Sequence, residues 1–369
     1  MNLDWHADRS DLPELATLDQ LAVDEPIDLA AVRSYRLARV REQMEAHALD
    51  ACILLDPVNI RYATGARNMQ VFHARNPARY LFVPRSGPVV LHEFAGCAHL
   101  AEGIETIDEI RPAITASYAA AGTGIEAVER AWARQVAELV REHCGPRAAV
   151  GVERANAGAA LALREEGFHL ADAQAPVERA RAVKSAEELK CVRASVRATE
   201  VAVARLRAAI RPGLSENELW SVLHQGVIAL GGDYIETRLL SSGPRTNPWF
   251  QETGDRRLAE NELVALDTDV VGCHGWTIPE RFVANRYYLS AHGCGMTGEY
   301  PYLYHEMDFE ESGYDGVLEA GMTLCVESYI GEEGGDEGVK LEQQLLITEN
   351  GPELLSSFPF EAALLGRPA

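Results

Sequence analysis

Two acidic side chains lie within an apolar run of the C-terminal half, and this feature constrains what the chain can fold into. Residues 263–272 read Leu-Val-Ala-Leu-Asp-Thr-Asp-Val-Val-Gly, a β-branched pattern typical of a buried strand. In a strand, alternation puts Asp267 and Asp269 on one face, about 7 Å apart at their Cα atoms. Two carboxylates in apolar surroundings repel each other and are costly to desolvate unless a cation lies between them. The stretch therefore indicates a metal site, although a solvated strand end fits these residues equally well.

Composition narrows the class of protein. The chain has 369 residues, which is enough for two domains. Its formal net charge of -22 argues against nucleic acid and anionic membranes as partners, because both are bound by basic surfaces. The seven cysteines include no Cys-x-x-Cys pair, and no segment has the pattern of a membrane span or a signal peptide. We therefore expect a cytoplasmic protein with reduced thiols.

The order of the predicted elements divides the chain into three parts. Residues 1–27 are acidic and show no sustained period, so we expect an arm on the surface. Between 28 and 184, short buried strands alternate with helical patterns, which predicts an α/β domain. Residues 185–369 are predicted to form a second domain that contains the acidic strand. Its helices are predicted to begin at the capping boxes of Ser185 and Ser215, and its strands to lie at 234–241, 263–272, 322–330 and 339–347.

Three more polar residues occupy apolar surroundings in this second domain. Glu327 and Glu342 each lie within a predicted strand, and His292 is followed by the glycines of Gly-Cys-Gly. Each alone has an ordinary interpretation, as a core histidine or a strand glutamate that faces water. Together with Asp267 and Asp269 they form the oxygen-rich ligand set that divalent metals prefer. By residue type, this set suits iron, manganese, zinc or cobalt.

Six stretches that span nearly the whole chain resemble a known superfamily. They are 56–64, 235–252, Asp267-Thr-Asp269, His292-Gly-Cys-Gly-Met296, Leu324-Cys-Val-Glu327 and Lys340-Leu-Glu342. In this order they resemble the superfamily of creatinase, prolidase and methionine aminopeptidase, and within it the branch of dimethylsulfoniopropionate (DMSP) lyases. The resemblance implies an α/β N-terminal domain followed by an α+β pita-bread C-terminal domain. It also implies a homodimer, a small-molecule substrate and a divalent metal, namely iron, with manganese or zinc as alternatives.

The resemblance implies a metal-ligand set, and one member of it has no counterpart here. The set includes Asp267, Asp269, His292, Glu327 and Glu342. Family members have several tens of residues more between Asp269 and His292, which are 23 residues apart in this chain. The family's third aspartate corresponds by spacing to Pro279, with Glu280 or His274 as substitutes.

The missing residues would include a strand and two helices. Their loss would leave the acidic strand with an exposed edge and an uncovered face. We therefore expect either an internal deletion or a misassembled gene product with an incomplete pita-bread domain, or a chain that closes its core in another way.

A second departure concerns the base. Peptidases of the superfamily carry a further histidine after the His-Gly-x-Gly segment, whereas the lyases place an aspartate, their proposed base, at the position of Gly298. This chain has neither residue, and Glu299 is the remaining candidate for the base.

The implied reaction is a β-elimination in which a base removes the proton next to the carboxylate, dimethyl sulfide leaves and acrylate remains. Because a sulfonium cation favours aromatic faces, aromatic residues near the ligands are candidates for the substrate pocket. We expect Glu299 and Tyr287 to be catalytic, and Trp249, Tyr300 and Arg245 to bind substrate. Two alternatives stay open, an Xaa-Pro peptidase-like metallohydrolase and a catalytically degenerate binding scaffold.

Overall fold

The computed structural model describes residues 12–18, 26–233, 235–268 and 285–361. These residues form two compact units. One is Asp28–Arg181, and the other comprises the described parts of Met1–Ile27 and of Ala182–Ala369. The first unit has a mixed sheet with helices and the second an antiparallel sheet with helices, which is the architecture expected from the sequence.

A short helix, α1 (Leu12–Ala16), lies in the segment predicted as a surface arm. Its Leu15 is buried because it packs against Val201 and Ala204 of the second unit. A helix of five residues is not stable by itself in water, so this contact holds it in place. The sequence analysis overlooked this apolar anchor.

The unit Asp28–Arg181 is built on a six-stranded mixed sheet with the order β4-β3-β2-β1-β5-β6. Strand β2 pairs antiparallel with β1 and β3, and the remaining pairs are parallel. All four residues of β1 are buried, which explains its continuous apolar sequence. The strands are β1 (Ala51–Leu54), β2 (Tyr80–Pro84), β3 (Val90–Glu93), β4 (Glu109–Pro112), β5 (Ala149–Val152) and β6 (His169–Asp172).

Some helices of this unit begin where a side chain accepts hydrogen bonds from their free amides. The Asp28 carboxylate accepts hydrogen bonds from the amides of Ala30 and Ala31 at the start of α2. Helix α6 places Trp132 and Val136 in the core against the sheet. The helices are α2 (Leu29–Ala46), α3 (Pro57–Thr64), α4 (Gln70–Arg75), α5 (Tyr118–Ala121), α6 (Ile125–His143), α7 (Ala157–Glu165) and α8 (Gln174–Ala182).

The second unit contains the helices α9 (Ala186–Ala209), α10 (Glu216–Ala229) and α11 (Phe309–Ser312). Both predicted capping boxes are present, with Ser185 and Glu188 at the start of α9 and Ser215 and Glu218 at the start of α10. None of the helices in the described part of the chain is long and apolar enough to cross a membrane.

Two antiparallel sheets complete this unit. A two-stranded sheet pairs β7 (Leu239–Ser242) with β8 (Val264–Asp267). The larger sheet has the order β11-β10-β12-β13-β14, and β9 pairs with the end of β12. Its strands are β9 (Asn285–Arg286), β10 (Leu289–Cys294), β11 (Gly298–Tyr304), β12 (Thr323–Gly331), β13 (Gly338–Thr348) and β14 (Gly351–Leu354).

The strand predicted at 234–241 is observed as β7 (Leu239–Ser242), because, of the described residues here, only these pair with β8. Leu239 lies opposite Asp267, so residues before Leu239 have no partner in the described part of β8. The strand predicted at 263–272 is observed as Val264–Asp267, and Asp269 and the following residues to 284 lie outside the described residues.

The second edge of β8 carries no strand among the described residues, and all four residues of β8 are only partly buried. A cavity of about 290 Å³ lies beside it, bounded by α9, β8, β13 and residues 356–361. The exposed edge and uncovered face expected from the missing residues are consistent with this arrangement.

The buried Glu153 makes the first unit sensitive to pH. Its carboxylate accepts hydrogen bonds from the Asp56 amide and the Asn59 side chain. Burial nevertheless raises the pKa of Glu153 to about 7. The folded unit thus binds this proton more tightly than the unfolded chain does, so stability falls as the pH rises from about 4.5 to about 7.

We predict that Glu153→Gln removes this part of the pH dependence. The difference in the free energy of unfolding, variant minus unchanged protein, should grow by up to about 3 kcal/mol between about pH 4.5 and about pH 7, because only the unchanged protein loses this stability. Urea titrations across this range, with amide protection of β1 and β5 as the readout, measure the difference. Parallel profiles for the two proteins would contradict the assignment.

Candidate metal centre

The register of the large sheet places three of the expected ligands on one face. Paired residues of antiparallel strands share a face, and so do residues two apart along a strand. Glu327 of β12 lies opposite Glu342 of β13, and His292 of β10 lies opposite Cys325, two residues before Glu327. The side chains of His292, Glu327 and Glu342 therefore project from the same side of the sheet.

Asp267 reaches this site from the other sheet, at the end of β8. The β7–β8 hairpin is held by Glu216 of α10, whose carboxylate is fully buried. Glu216 accepts hydrogen bonds of 2.9 Å from both the amide and the hydroxyl of Ser242, and one of 3.0 Å from the Gly254 amide. This anchor fixes the hairpin that carries Asp267.

Three carboxylates converge on one ammonium group. The Nζ atom of Lys340 lies 3.1 Å from Asp267 Oδ2, 2.6 Å from Glu327 Oε2 and 2.9 Å from Glu342 Oε2. The Lys340 side chain is 1% exposed. One oxygen from each carboxylate lies within 4.8 Å of the others. We call Asp267, Glu327, Glu342 and Lys340 the acidic cluster.

Burial and charge act in opposite directions within the acidic cluster. Burial opposes the charge of Lys340, but Glu342, Asp267 and Glu327 outweigh it and raise its pKa well above the ordinary value. Burial and then the Asp267 carboxylate raise the pKa of Glu342, against the opposing effect of Lys340. The ammonium thus remains charged, and it does not fully offset the crowding of the acids.

One oxygen of Glu327 is left for another cation. Glu327 Oε1 is buried, has no hydrogen-bond partner among the described residues, and lies 3.6 Å from His292 Nε2. His292 Nδ1 lies 2.7 Å from the Gly293 carbonyl, so Nδ1 carries the hydrogen and the lone pair of the neutral ring is on Nε2. Two lone-pair donors that face each other fit a metal ion.

The charges agree with this interpretation. When all three carboxylates are ionised, as metal ligands must be, they and the ammonium carry a net charge of about -2, which one divalent cation neutralises. Asp267, Glu327 and Glu342 thus form a group that fits a divalent metal, and His292 Nε2 lies 3.6 Å from Glu327 Oε1 at its side. Asp269 lies outside the described residues.

Two predicted aromatic residues border the acidic cluster. The ring centroids of Trp249 and Tyr287 lie 5.9 Å and 5.2 Å from Lys340 Nζ. Trp249 is buried and stacks on Tyr329, with 5.6 Å between ring centroids. Burial and the Glu327 carboxylate raise the pKa of Tyr287, so its phenol stays neutral.

Two predicted substrate ligands have other partners. Tyr300 stacks on Tyr314, with 6.0 Å between ring centroids. Arg245 forms an ion pair with the buried Glu216 and donates a 2.8 Å hydrogen bond to the Glu252 carbonyl. The Arg245 guanidinium thus braces the β7–β8 hairpin, and its role toward a substrate stays a prediction.

The candidate base Glu299 is bound to a lysine. Its side chain is 1% exposed and forms an ion pair with Lys184, which is also buried. Lys184 Nζ additionally donates to the Ala182 carbonyl, at 3.1 Å. This pairing favours a structural role for Glu299, and its catalytic role stays a prediction.

Gly298 faces the metal-binding histidine candidate. A Cβ atom at Gly298 would lie 3.5 Å from His292 Cε1 and 3.7 Å from Nδ1, which is ordinary van der Waals contact. A Cβ atom therefore fits here without a clash and would lie beside the imidazole.

The sequence analysis assigned no role to Lys340. The sequence could have indicated this role, because residues two apart in a strand share a face and Lys340 is two residues before Glu342.

Two family models match the chain. The Creatinase/Prolidase N-terminal domain matches residues 36–183, and Metallopeptidase family M24 matches residues 190–281. Among solved structures, a dipeptidase PepE from Mycobacterium ulcerans has a TM-score of 0.66 at 19% identity and covers 91% of this chain and 98% of its own. An Xaa-Pro dipeptidase from Bacillus anthracis has a TM-score of 0.66 at 17% identity, over 89% and 99%. These matches confirm the predicted fold class.

Two curated relatives extend over nearly the whole chain, and both are named dimethylsulfoniopropionate lyase DddP. The protein from Roseobacter denitrificans is 33% identical over 98% of this chain and 91% of its own. The protein from Roseovarius nubinhibens is 34% identical over 92% and 89%. The first alignment has 419 positions, more than the 369 residues of this chain, which agrees with an internal deletion.

We predict that Glu342→Gln weakens metal binding by about 100-fold or more, because it removes one of the charged ligands. Isothermal titration with Mn²⁺ measures the affinity. Glu353→Gln on the neighbouring strand β14 is the matched control, since Glu353 pairs with Arg193 at the surface. Equal affinity in both variants would exclude Glu342 as a ligand.

We predict that Glu299→Gln destabilises the second unit by about 3 kcal/mol, because it leaves Lys184 buried without its counter-charge. The double variant Glu299→Gln/Lys184→Met should recover part of this loss. Thermal melting compares the three proteins. If Glu299→Gln melts like the unchanged protein, the pair has no structural role.

Proposed function

Because this chain belongs to the dimethylsulfoniopropionate lyase family within the M24 metallopeptidase superfamily, we propose that it is a metal-dependent lyase that converts DMSP to dimethyl sulfide and acrylate. The observation that carries this proposal is the similarity to two such lyases over almost the full chain. The likeness to the solved peptidase structures shows the fold alone, since their sequence identity is 19% and 17%.

The reaction is a β-elimination. A base takes the proton from the carbon next to the carboxylate, that electron pair forms the double bond, and the carbon–sulfur bond breaks. Dimethyl sulfide leaves as a neutral molecule and acrylate retains the negative charge. A bound divalent metal would supply Lewis-acid stabilisation of the substrate carboxylate.

The residues of this chain supply binding surfaces at both ends of the substrate. Asp267, His292, Glu327 and Glu342 would hold the metal, together with Asp269. The faces of Trp249 and Tyr287, which border the acidic cluster, suit a sulfonium cation. We include Tyr300 and Arg245 as further substrate-binding candidates on the basis of the family resemblance.

The proposed base of the related lyases has no counterpart in this chain. In the related lyases, the resemblance places an aspartate where this chain has Gly298. Since a Cβ atom at Gly298 would lie 3.5 Å from His292 Cε1, we propose that a carboxylate at this position would lie beside the histidine. Of the remaining candidates, Glu299 is engaged by Lys184, and Tyr287 is held in its neutral form. We therefore propose that proton abstraction in this chain is slow.

We predict that Gly298→Asp raises the rate of dimethyl sulfide release by about 100-fold, the usual contribution of a positioned general base. The backbone at Gly298 does not have a positive φ, so the substitution is not strained. Gas chromatography of dimethyl sulfide, after loading with ferrous iron or manganese, measures the rate. Gly298→Asn is the matched control, because it has the same shape and no basic group.

Three outcomes would overturn parts of this proposal. Equal rates for the aspartate and asparagine variants would remove Gly298 from the base position. Cleavage of a proline dipeptide without dimethyl sulfide would favour the peptidase alternative. Silence with both substrates, in both the unchanged protein and Gly298→Asp, would favour a degenerate binding scaffold.

We further propose that the metal is iron, that the chain forms a homodimer and that it acts in the cytoplasm. The first two rest on the family resemblance, and the ligand types also suit manganese and zinc. Elemental analysis and sedimentation of the purified protein test the metal and the dimer.

A further inference from the structure

Lys340 is a buried charged residue to which the proposed reaction assigns no role. An ammonium group with a 1% exposed side chain is costly to desolvate unless each of its three hydrogens has an acceptor. Lys340 has three, and all of them are carboxylate oxygens. Conversely, each acid of the acidic cluster would face the others without a counter-charge if Lys340 were absent.

The ammonium and the metal can be present together, because they use different oxygens of Glu327. Lys340 contacts Oε2, whereas Oε1 faces His292 Nε2 and has no hydrogen bond among the described residues. A metal that enters on the His292 side therefore does not have to displace Lys340 from Glu327.

Two aromatic rings restrict where the ammonium can go. Trp249 and Tyr287 both lie within 6 Å of Lys340 Nζ, the range in which a cation is attracted to a ring face. Trp249 is in turn fixed by stacking on Tyr329, whose hydroxyl donates to the Thr246 carbonyl at 2.8 Å. Groups outside the acidic cluster thus add to the three carboxylates in fixing the position of the ammonium.

We infer that Lys340 is a positioning residue that holds Asp267, Glu327 and Glu342 together before the metal binds. The metal-free protein therefore keeps its ligands converged, and metal binding does not have to gather them. This inference rests on the proposed metal centre, but it is independent of the substrate.

The test compares thermal melting of Lys340→Met with excess EDTA and with excess Mn²⁺. Methionine keeps much of the side-chain volume and removes the charge. In EDTA the variant should melt well below the unchanged protein, because three carboxylates are left without a counter-charge. Mn²⁺ should restore it, so that the rise in Tm caused by the metal is larger in the variant by about 5 °C or more.

Lys184→Met is the matched control, because Lys184 is also a buried lysine paired with a carboxylate in the same unit. It should lower Tm equally in EDTA and in Mn²⁺. If Lys340→Met behaves in this way too, Lys340 is an ordinary structural ion pair and the inference is wrong. It is also wrong if Lys340→Met melts like the unchanged protein in EDTA, or if Mn²⁺ shifts neither protein.

If Lys340→Met folds neither in EDTA nor in Mn²⁺, a double variant that also lacks one acid decides the question. Lys340→Met/Glu327→Gln leaves two carboxylates in place of three. Folding of this double variant in EDTA supports the inference, and its failure to fold contradicts it. Because melting is the readout, a protein that releases no dimethyl sulfide can still confirm the role of Lys340.

Discussion

Three carboxylates share one ammonium group in the second unit, and the arrangement of the candidate site depends on this interaction. Each acid comes from a different strand, so the contact joins β8, β12 and β13. Removing any of these groups from water is unfavourable, and the geometry offsets this only because all three hydrogens of Lys340 are paired. The strand register brings Glu327 and Glu342 to Lys340, and the hairpin anchored by Glu216 brings Asp267 to it. The ring of Trp249 lies against the same ammonium group.

The same interaction helps to fix Asp267 at the end of β8. The edge of β8 lacks a neighbouring strand among the described residues, and an unpaired strand end has little to hold it. Asp267 at this end is fixed from two other directions, by Lys340 and by the hairpin that Glu216 anchors. Neither contact requires the residues that the relatives have in addition.

The features predicted correctly from sequence are those with local causes. The starts of α9 and α10 depend on a serine and a glutamate three residues apart, and both pairs are readable in the sequence. Glu327 and Glu342 were recognisable because an acid in an apolar strand is uncommon. The extent of β7, the burial of Leu15 and the partner of Glu299 depend on distant residues, so no local pattern indicates them. Lys340 was missed for a related reason, since a lysine in a strand normally lies in solvent.

The position of Gly298 shows how few mutations separate this site from one with an acid beside His292. It lies beside His292 with room for a short side chain, and its backbone is of a kind that any residue can adopt. In the genetic code, a single change at the second base turns every glycine codon into one for aspartate or glutamate. One nucleotide therefore separates this site from one with a carboxylate beside the histidine, so mutation could install or erase that acid repeatedly without altering the fold.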